Sequence, residues 1–310
     1  MDKLGSKSTR VLLTGSNGFL GQKLTDFIIQ KTDYSLCCTS NSANRNPLQE
    51  GYEFVQLDLL DTDRLLELIA KFKPTHIVHT AAMTSVEACE QDAETCQKLN
   101  VEVVATLAQQ CLKDDIHFTF LSTDFVFDGQ AGPYDETAAS NPCNAYGQSK
   151  LDAEAAILES GCRAAILRTI LVYGIIADRN RSNLVLWAKS KLENQEAIKV
   201  VSDQWRMPTW VDDLAEACIL CIERNAEGIF HISSDKMYSI LEAVEAVADF
   251  WGYDKSLISP IKAEEIGQSK NRPQKTGFIL SKAIQELGYK PTSFLDSLKF
   301  IEQQYSYYRS

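Results

Sequence analysis

From residue 10 onward the chain alternates short apolar runs with amphipathic stretches, and no other feature narrows its fold so far. RVLLT leads into an amphipathic run from Leu20 to Gln30 and then YSLCCT. YEFVQLD precedes Asp63 to Phe72, and HIVHT precedes Glu87 to Leu112 and then HFTFLS. Apolar runs alternating with helical periodicity predict repeated β-α units, hence a doubly wound α/β fold: a parallel sheet with helices on both faces. A helix over about Tyr146 to Glu159 and the strand RAAILR at 163–168 extend the series.

After Gly174 the rhythm changes. A helix near Ser182 to Leu192, the strand IKVVS, a turn into the helical stretch ending ACILCIE, and the buried strand GIFHIS follow in order. Beyond them come Ser239 to Trp251, a loop with Pro260, and a last helix from near Ser281 to Gly288. The pattern predicts a nucleotide-binding lobe of residues 1–170 plus about 206–233. A smaller α/β lobe, about 171–205 plus 234–310, would lie over the sheet's carboxyl edge.

Composition excludes several classes of function. With 310 residues and 45% hydrophobic content, the chain can bury a full core. A net charge of -11 argues against general affinity for nucleic acid or anionic lipid, both of which need a positive field. The start MDKLGSKSTR lacks a signal peptide's apolar stretch, and no window approaches a membrane span, so a cytoplasmic protein is expected. Nine scattered cysteines predict thiols, with Cys218 and Cys221 on a buried helix face. None of His76, His79, His117 and His231 has ligand spacing to a partner, and no metal is expected. Nothing locates a subunit interface; a homodimer is compatible with the sequence.

The first strand runs directly into GSNGFLGQKL, which sets Gly15, Gly18 and Gly21 at the intervals of G-x-x-G-x-x-G. The first glycine permits the turn, the second lets backbone approach a pyrophosphate, and the third allows close helix packing. The helix start then offers N–H groups to phosphate. Asn17, Phe19 and Leu20 belong to the same expected cradle. An acid that would select NAD through the ribose is missing between Ser35 and Gln49, whereas Thr39, Ser40, Asn41 and Arg45 suit a 2′-phosphate. NADPH is therefore the expected cofactor, with NADH the alternative. Asp58 and Leu59 would flank the adenine, and Thr80, Ala81 and Ala82, in HTAAMT at 79–84, would border the cofactor beside Thr84.

Ligands of open parallel sheets bind at the carboxyl ends of the strands. There HTAAMT, STDFVFDG at 122–129 and NAYGQSK at 144–150 converge. Tyr146 and Lys150, four apart on a helix, share a face with Cβ atoms about 5–6 Å apart. An ammonium beside a phenol, joined by the charge of oxidised nicotinamide, favours the phenolate and would bring the tyrosine toward working pH. Tyr146 is the expected general acid, Lys150 its electrostatic partner, and Thr123 the ligand of the substrate oxygen. Asn100 is a candidate for holding a relay water, or else a structural amide. The clustered basic residues Arg179, Arg181, Arg206, Lys270, Arg272 and Lys275 suit an anionic substrate group.

TGSNGFLG, HTAAMTSVEACEQD, NVE, STDFVFDG, PY, NPCNAYGQSK, LRTILVYG and MPTWVDDLAE, in this order, resemble the extended short-chain dehydrogenase/reductases. They are most similar to the dTDP-4-dehydrorhamnose reductase branch, from about residue 10 to the C-terminus. The resemblance implies a Rossmann lobe, a Thr123, Tyr146 and Lys150 triad, and reduction of a nucleotide-linked 4-keto-6-deoxy sugar toward dTDP-L-rhamnose. Phe125 and Leu171 replace the branch's usual Tyr and Trp on the substrate side, which bears on the identity of the sugar rather than on hydride chemistry. Related 4,6-dehydratases carry Thr-Asp-Glu where this chain has Thr123, Asp124 and Phe125, so elimination lacks its base. Reduction or epimerisation of another nucleotide sugar is an alternative. So is a regulatory role, because the beta subunit of methionine adenosyltransferase resembles the same branch.

Overall fold

The computed structural model describes residues 9–176, 182–268 and 271–309. Its centre is a seven-stranded parallel sheet. In chain order the first elements are β1 (Arg10–Thr14), α1 (Phe19–Lys31), β2 (Ser35–Ser40), β3 (Glu53–Gln56), α2 (Thr62–Phe72) and β4 (His76–His79). They continue with α3 (Val86–Gln91), α4 (Ala93–Gln97), α5 (Val103–Asp114), β5 (His117–Thr123), α6 (Ala145–Ser160) and β6 (Ala164–Thr169). The last sheet strand is Gly228–Ile232, which pairs in parallel with β6. The sheet order is therefore Gly228–Ile232, β6, β5, β4, β1, β2, β3. Because the chain winds outward from β1 to β3 and then restarts at β4 on the other side, the sheet's order reverses between β1 and β4. A crevice opens there, at the strands' carboxyl ends.

The apolar runs make strands because both sheet faces are covered. Val11, Leu12 and Leu13 of β1 are fully buried, Val11 and Leu13 in one core cluster and Leu12 in the other. α8 (Val211–Arg224) packs on α1 and buries Val211, Leu214, Ala215, Cys218 and Ile222 at helical intervals, which accounts for the C-x-x-C as packing.

Two segments depart from the sequence expectation. The single helix expected over Glu87 to Leu112 is broken into α3, α4, a π turn over Lys98–Glu102 and α5. Asp92 ends α3, and its carboxylate accepts the Thr95 N–H at 3.1 Å to start α4, an alternative that short acidic side chains offer the backbone. The helix expected from Ser281 to Gly288 is a π turn over Ala283–Leu287, and the true last helix is α10 (Phe294–Arg309).

A third core cluster joins α7 (Leu184–Glu193), α9 (Ile240–Trp251) and α10 through Val185, Leu192, Val244, Val247, Phe294 and Leu298. Beside it the strands Ile198–Val201 and Ile258–Ile261 pair in parallel. Phe278, Leu280, Leu287 and Tyr289, which the sequence placed with the smaller lobe, pack instead with the sheet core. Among the described residues no helix is long and apolar enough to cross a membrane.

Candidate active site

The crevice is a cleft of about 710 Å³ running from the glycine loop to Tyr146 and Lys150. Gly15 holds φ at +76°, and a Cβ there would lie 2.6 Å from the Ala81 backbone nitrogen, so the turn after β1 and the segment after β4 touch only because the side chain is missing. Both Gly15 and Ser16 donate their backbone N–H to the Thr39 carbonyl, at 2.9 and 3.1 Å. Gly18 precedes α1 with no capping side chain, and the first turn carries no acid, which leaves the helix's positive end facing the cleft. The Asn17 amide donates to the Ala43 carbonyl at 2.8 Å and its oxygen accepts the Arg45 N–H at 2.9 Å, which shapes the loop after β2.

Of the expected cofactor residues, Gly15, Asn17, Gly18, Phe19, Leu20, Ser40, Arg45, Asp58, Leu59, Thr80, Ala81 and Ala82 line this cleft with Tyr146 and Lys150. Gly21 is buried within α1. Thr39 is fully buried and stands behind the cleft wall. Asn100 is also set back: its amide oxygen accepts the Met83 N–H at 2.8 Å, and its nitrogen donates to the Met83 carbonyl and the Ser149 hydroxyl, both at 3.0 Å. A buried amide so fully engaged is a brace between the π turn and α6.

Thr123 closes β5, and its hydroxyl accepts the Phe125 N–H at 3.2 Å. α6 begins opposite, capped by Asn144, whose oxygen accepts the Gly147 N–H at 2.7 Å and whose nitrogen donates to the Asn271 carbonyl at 2.9 Å. A Cβ on Gly147 would collide with the Phe125 carbonyl, so glycine here lets the start of α6 press against the turn after Thr123. The Phe125 and Tyr146 rings meet edge to face, with centroids 6.0 Å apart.

The charges of the pair differ from the sequence expectation. Burial raises the Tyr146 phenol above its usual value, with the Thr123 hydroxyl pulling the other way, and burial pushes Lys150 down to about 7 against the attraction of Glu154. The expected lowering of Tyr146 by its lysine is absent because desolvation penalises both charged forms before they can help each other. Lys150 Nζ lies 4.0 Å from the centroid of the Phe120 ring, which gives its charged form a partial partner. Behind them Arg168 Nη2 and Glu154 Oε2 pair at 2.6 Å with both side chains buried, and the Ser122 hydroxyl also donates to Glu154.

A second cavity of about 340 Å³ shares Thr84, Thr123, Asp124, Tyr146 and Leu171 with the cleft and is further walled by Phe125, Arg206 and Arg272. Of the expected substrate residues, Thr84, Asp124, Phe125, Leu171, Arg206 and Arg272 border it, but two are already engaged. Arg206 donates to the Trp205, Pro273 and Gln274 carbonyls and lies 3.7 Å from Asp124, whose carboxylate also accepts from the Thr276 hydroxyl and, at 3.3 Å, from the Thr123 hydroxyl. Arg272 donates to Glu87. Arg179, Arg181 and Lys270 lie outside the described residues, and Lys275 is exposed. Sequence reasoning missed Asn144, Glu154 and Arg168. Asn144 could have been found by the capping preference for Asn before a helix; the buried ion pair, joining a helix to a strand, left no local signal.

The family described as RmlD substrate binding domain matches residues 9–306. Methionine adenosyltransferase 2 subunit beta of Danio rerio is 31% identical over 96% of this chain and 91% of that protein. The probable low-salt glycan biosynthesis reductase Agl14 of Haloferax volcanii is 28% identical over 96% of this chain and 99% of that one. A solved structure of a hypothetical dTDP-4-dehydrorhamnose reductase from Sulfolobus tokodaii superposes with a TM-score of 0.81 at 26% identity, over 93% of this chain and 99% of that one.

Proposed function

The chain belongs to the RmlD substrate binding domain family of the extended short-chain dehydrogenase/reductases, and we propose that it reduces the 4-keto group of a nucleotide-linked 6-deoxy sugar with NADPH, most specifically dTDP-4-dehydrorhamnose. The observation that carries this reading is that Thr123 and Tyr146 stand where the glycine-cradled cleft opens into the second cavity. A hydride donor held in the first would face a carbonyl held in the second. In this reading residues 1–170 with about 206–233 form the nucleotide lobe, against which 278–289 pack, and 171–205 with the rest of 234–310 form the sugar lobe.

The cleft fits the cofactor: Gly15 leaves the space a Cβ would fill, and Ser40, Asn41 and Arg45 line it with no carboxylate between Ser35 and Gln49 to repel a 2′-phosphate. NADPH, when bound, supplies the hydride. Tyr146, its phenol kept protonated by burial, delivers the proton to the new alkoxide. The Thr123 hydroxyl orients the carbonyl oxygen. Lys150, brought down to about 7 by burial, restores the phenol and holds the ribose. The test is NADPH oxidation, followed by absorbance, when the protein meets dTDP-4-keto-6-deoxy-L-sugar formed in situ. Rapid oxidation supports the reading, and no oxidation by protein that binds NADPH overturns it.

The likeness to a methionine adenosyltransferase subunit favours a second reading, a nucleotide-binding regulatory subunit. Co-elution with a methionine adenosyltransferase catalytic subunit, together with silence toward keto-sugars, would support it.

A further inference from the structure

The second cavity has a corner whose backbone is tied on every side while one side chain is tied to nothing. Ser202 donates its N–H to Ile261 O at 2.9 Å, and Asp203 Oδ1 accepts from Ala263 N at 2.9 Å. Gln204 O accepts from Ile240 N at 3.0 Å, and Trp205 N donates to Gln274 O at 2.8 Å. Between these anchors Gln204 is only 5% exposed, and its amide nitrogen has no hydrogen-bond partner among the described residues. Gln204 and Tyr146 line the same cavity, as does Arg272, whose Nε is likewise buried and without a partner among the described residues.

A buried amide donor left unmade costs stability, and a methionine of similar volume would fill the space without that cost. Packing therefore gives no reason for the amide. Buried polar groups in folded proteins are otherwise nearly all paired, and an orphan in a rigid corner facing a cavity is explained by an acceptor that arrives from outside. Val86, Leu184, Val201 and Ile240 give the cavity one apolar side, which accepts a deoxygenated carbon rather than a hydroxyl, while Thr84, Asp124, Arg206 and Gln268 are its further polar lining.

We infer that Gln204 is the residue that reads the sugar ring, donating its amide N–H to a sugar oxygen next to the reacting carbon while the apolar wall receives the 6-deoxy carbon. The inference rests on the reductase reading for its substrate and names a contact that reading leaves open. Arg272 Nε, with its guanidinium held by Glu87, offers a second fixed donor to the same ring or its linkage.

The test compares the parent with Gln204→Met, both loaded with NADP+. It measures the melting temperature, and the dissociation constants of dTDP-L-rhamnose and of dTDP by calorimetry. The expected result is a melting temperature equal to or above the parent's, dTDP-L-rhamnose weakened by roughly tenfold or more, and dTDP held within about twofold, as loss of one sugar-directed hydrogen bond requires. Equal weakening of both ligands, unchanged affinities, or a variant that melts earlier with its affinities intact would each overturn the inference. Should the methionine variant fail to fold, Gln204→Asn withdraws the same donor by one carbon and is expected to lose dTDP-L-rhamnose relative to dTDP in the same way. The reductase reading is judged separately, by NADPH oxidation in the parent. A parent that oxidises NADPH yet binds dTDP-L-rhamnose no better than dTDP overturns the role of Gln204 and leaves the reductase standing.

Discussion

Burial sets the protonation of Tyr146 and Lys150 more than either sets the other's, and the consequence is directional: the phenol enters the reaction carrying its proton. Tyr146→Phe should keep the fold and NADPH affinity while lowering turnover by at least about 100-fold, the usual worth of a positioned acid. Turnover equal to the parent's, in the same absorbance assay, would remove Tyr146 from the mechanism. Glu154 supports the site from behind. Glu154→Gln leaves Arg168 buried with a weakened partner, and loss of a buried pair's charge is expected to cost about 3–5 kcal/mol in urea unfolding. A cost below about 1 kcal/mol would mean that water reaches the pair. Tyr146 and Lys150 were legible in the sequence because four-residue spacing fixes a shared face. Glu154, four residues further on, has the same spacing but no sequence signal of its role, because its partner lies on a strand that only the fold brings near.

The start of α6 is where local sequence and active-site geometry meet. Asn144 caps it and Gly147 lets it close on the Phe125 carbonyl. Gly147→Ala adds a methyl where backbone already stands, so the helix must shift away from Thr123. Turnover should fall at least about tenfold, as sub-ångström misplacement of reacting groups does, while NADPH affinity stays within about twofold. Parallel loss of both would place the effect in global folding. Elements with strong periodicity, such as β1 and α8, were readable because burial on both faces or on one stripe leaves a plain pattern. The helix expected over 87–112 was not, because amphipathic periodicity survives a change of axis. The break at Asp92 depends on one carboxylate choosing a backbone N–H. α10 had a readable start, since Ser293 accepts the Asp296 N–H at 3.1 Å in a cap that its Ser-x-x-Asp spacing announces. Its polar tail hid the apolar set Phe294, Leu298 and Ile301.

At the scale of the molecule, the segment after Arg272 crosses between the two regions, bridging Trp205 with Lys275 and Tyr134 with Phe278, and the Thr276 hydroxyl donates to Asp124 beneath the site. Contacts this distant in sequence carry no periodicity, which is why Gln204 could not be read before the fold although Thr84, Phe125, Leu171 and Arg206 of the same cavity were. The same close packing determines how the molecule responds to acid. His76 is pushed down to about 4, and His79 and His231 to about 3, all chiefly by burial, while the unfolded chain binds protons near 6.5. Below that value the unfolded state takes up protons that the folded state refuses, so stability falls as pH falls, by about 1.4 kcal/mol for each of the three at one unit below. Lys150, folded near 7 and ordinarily near 10.5, adds loss in the same direction as pH falls from about 10.5 to 7, levelling off below that. Asp213, pushed up to about 6 from 3.8, works the other way between those values because the folded state then binds the extra proton. Burial raises Asp26 and Asp124 as well, and lowers His117 along with the other three histidines, so carboxyls and histidines oppose each other and the four histidines set the sign. Urea unfolding at about pH 7.5 and about pH 5.5 should differ by up to about 4 kcal/mol, with the acid side weaker. A flat profile would mean that the strands open enough for water to reach their histidines, and the tight seven-stranded core would have to be looser than its packing describes.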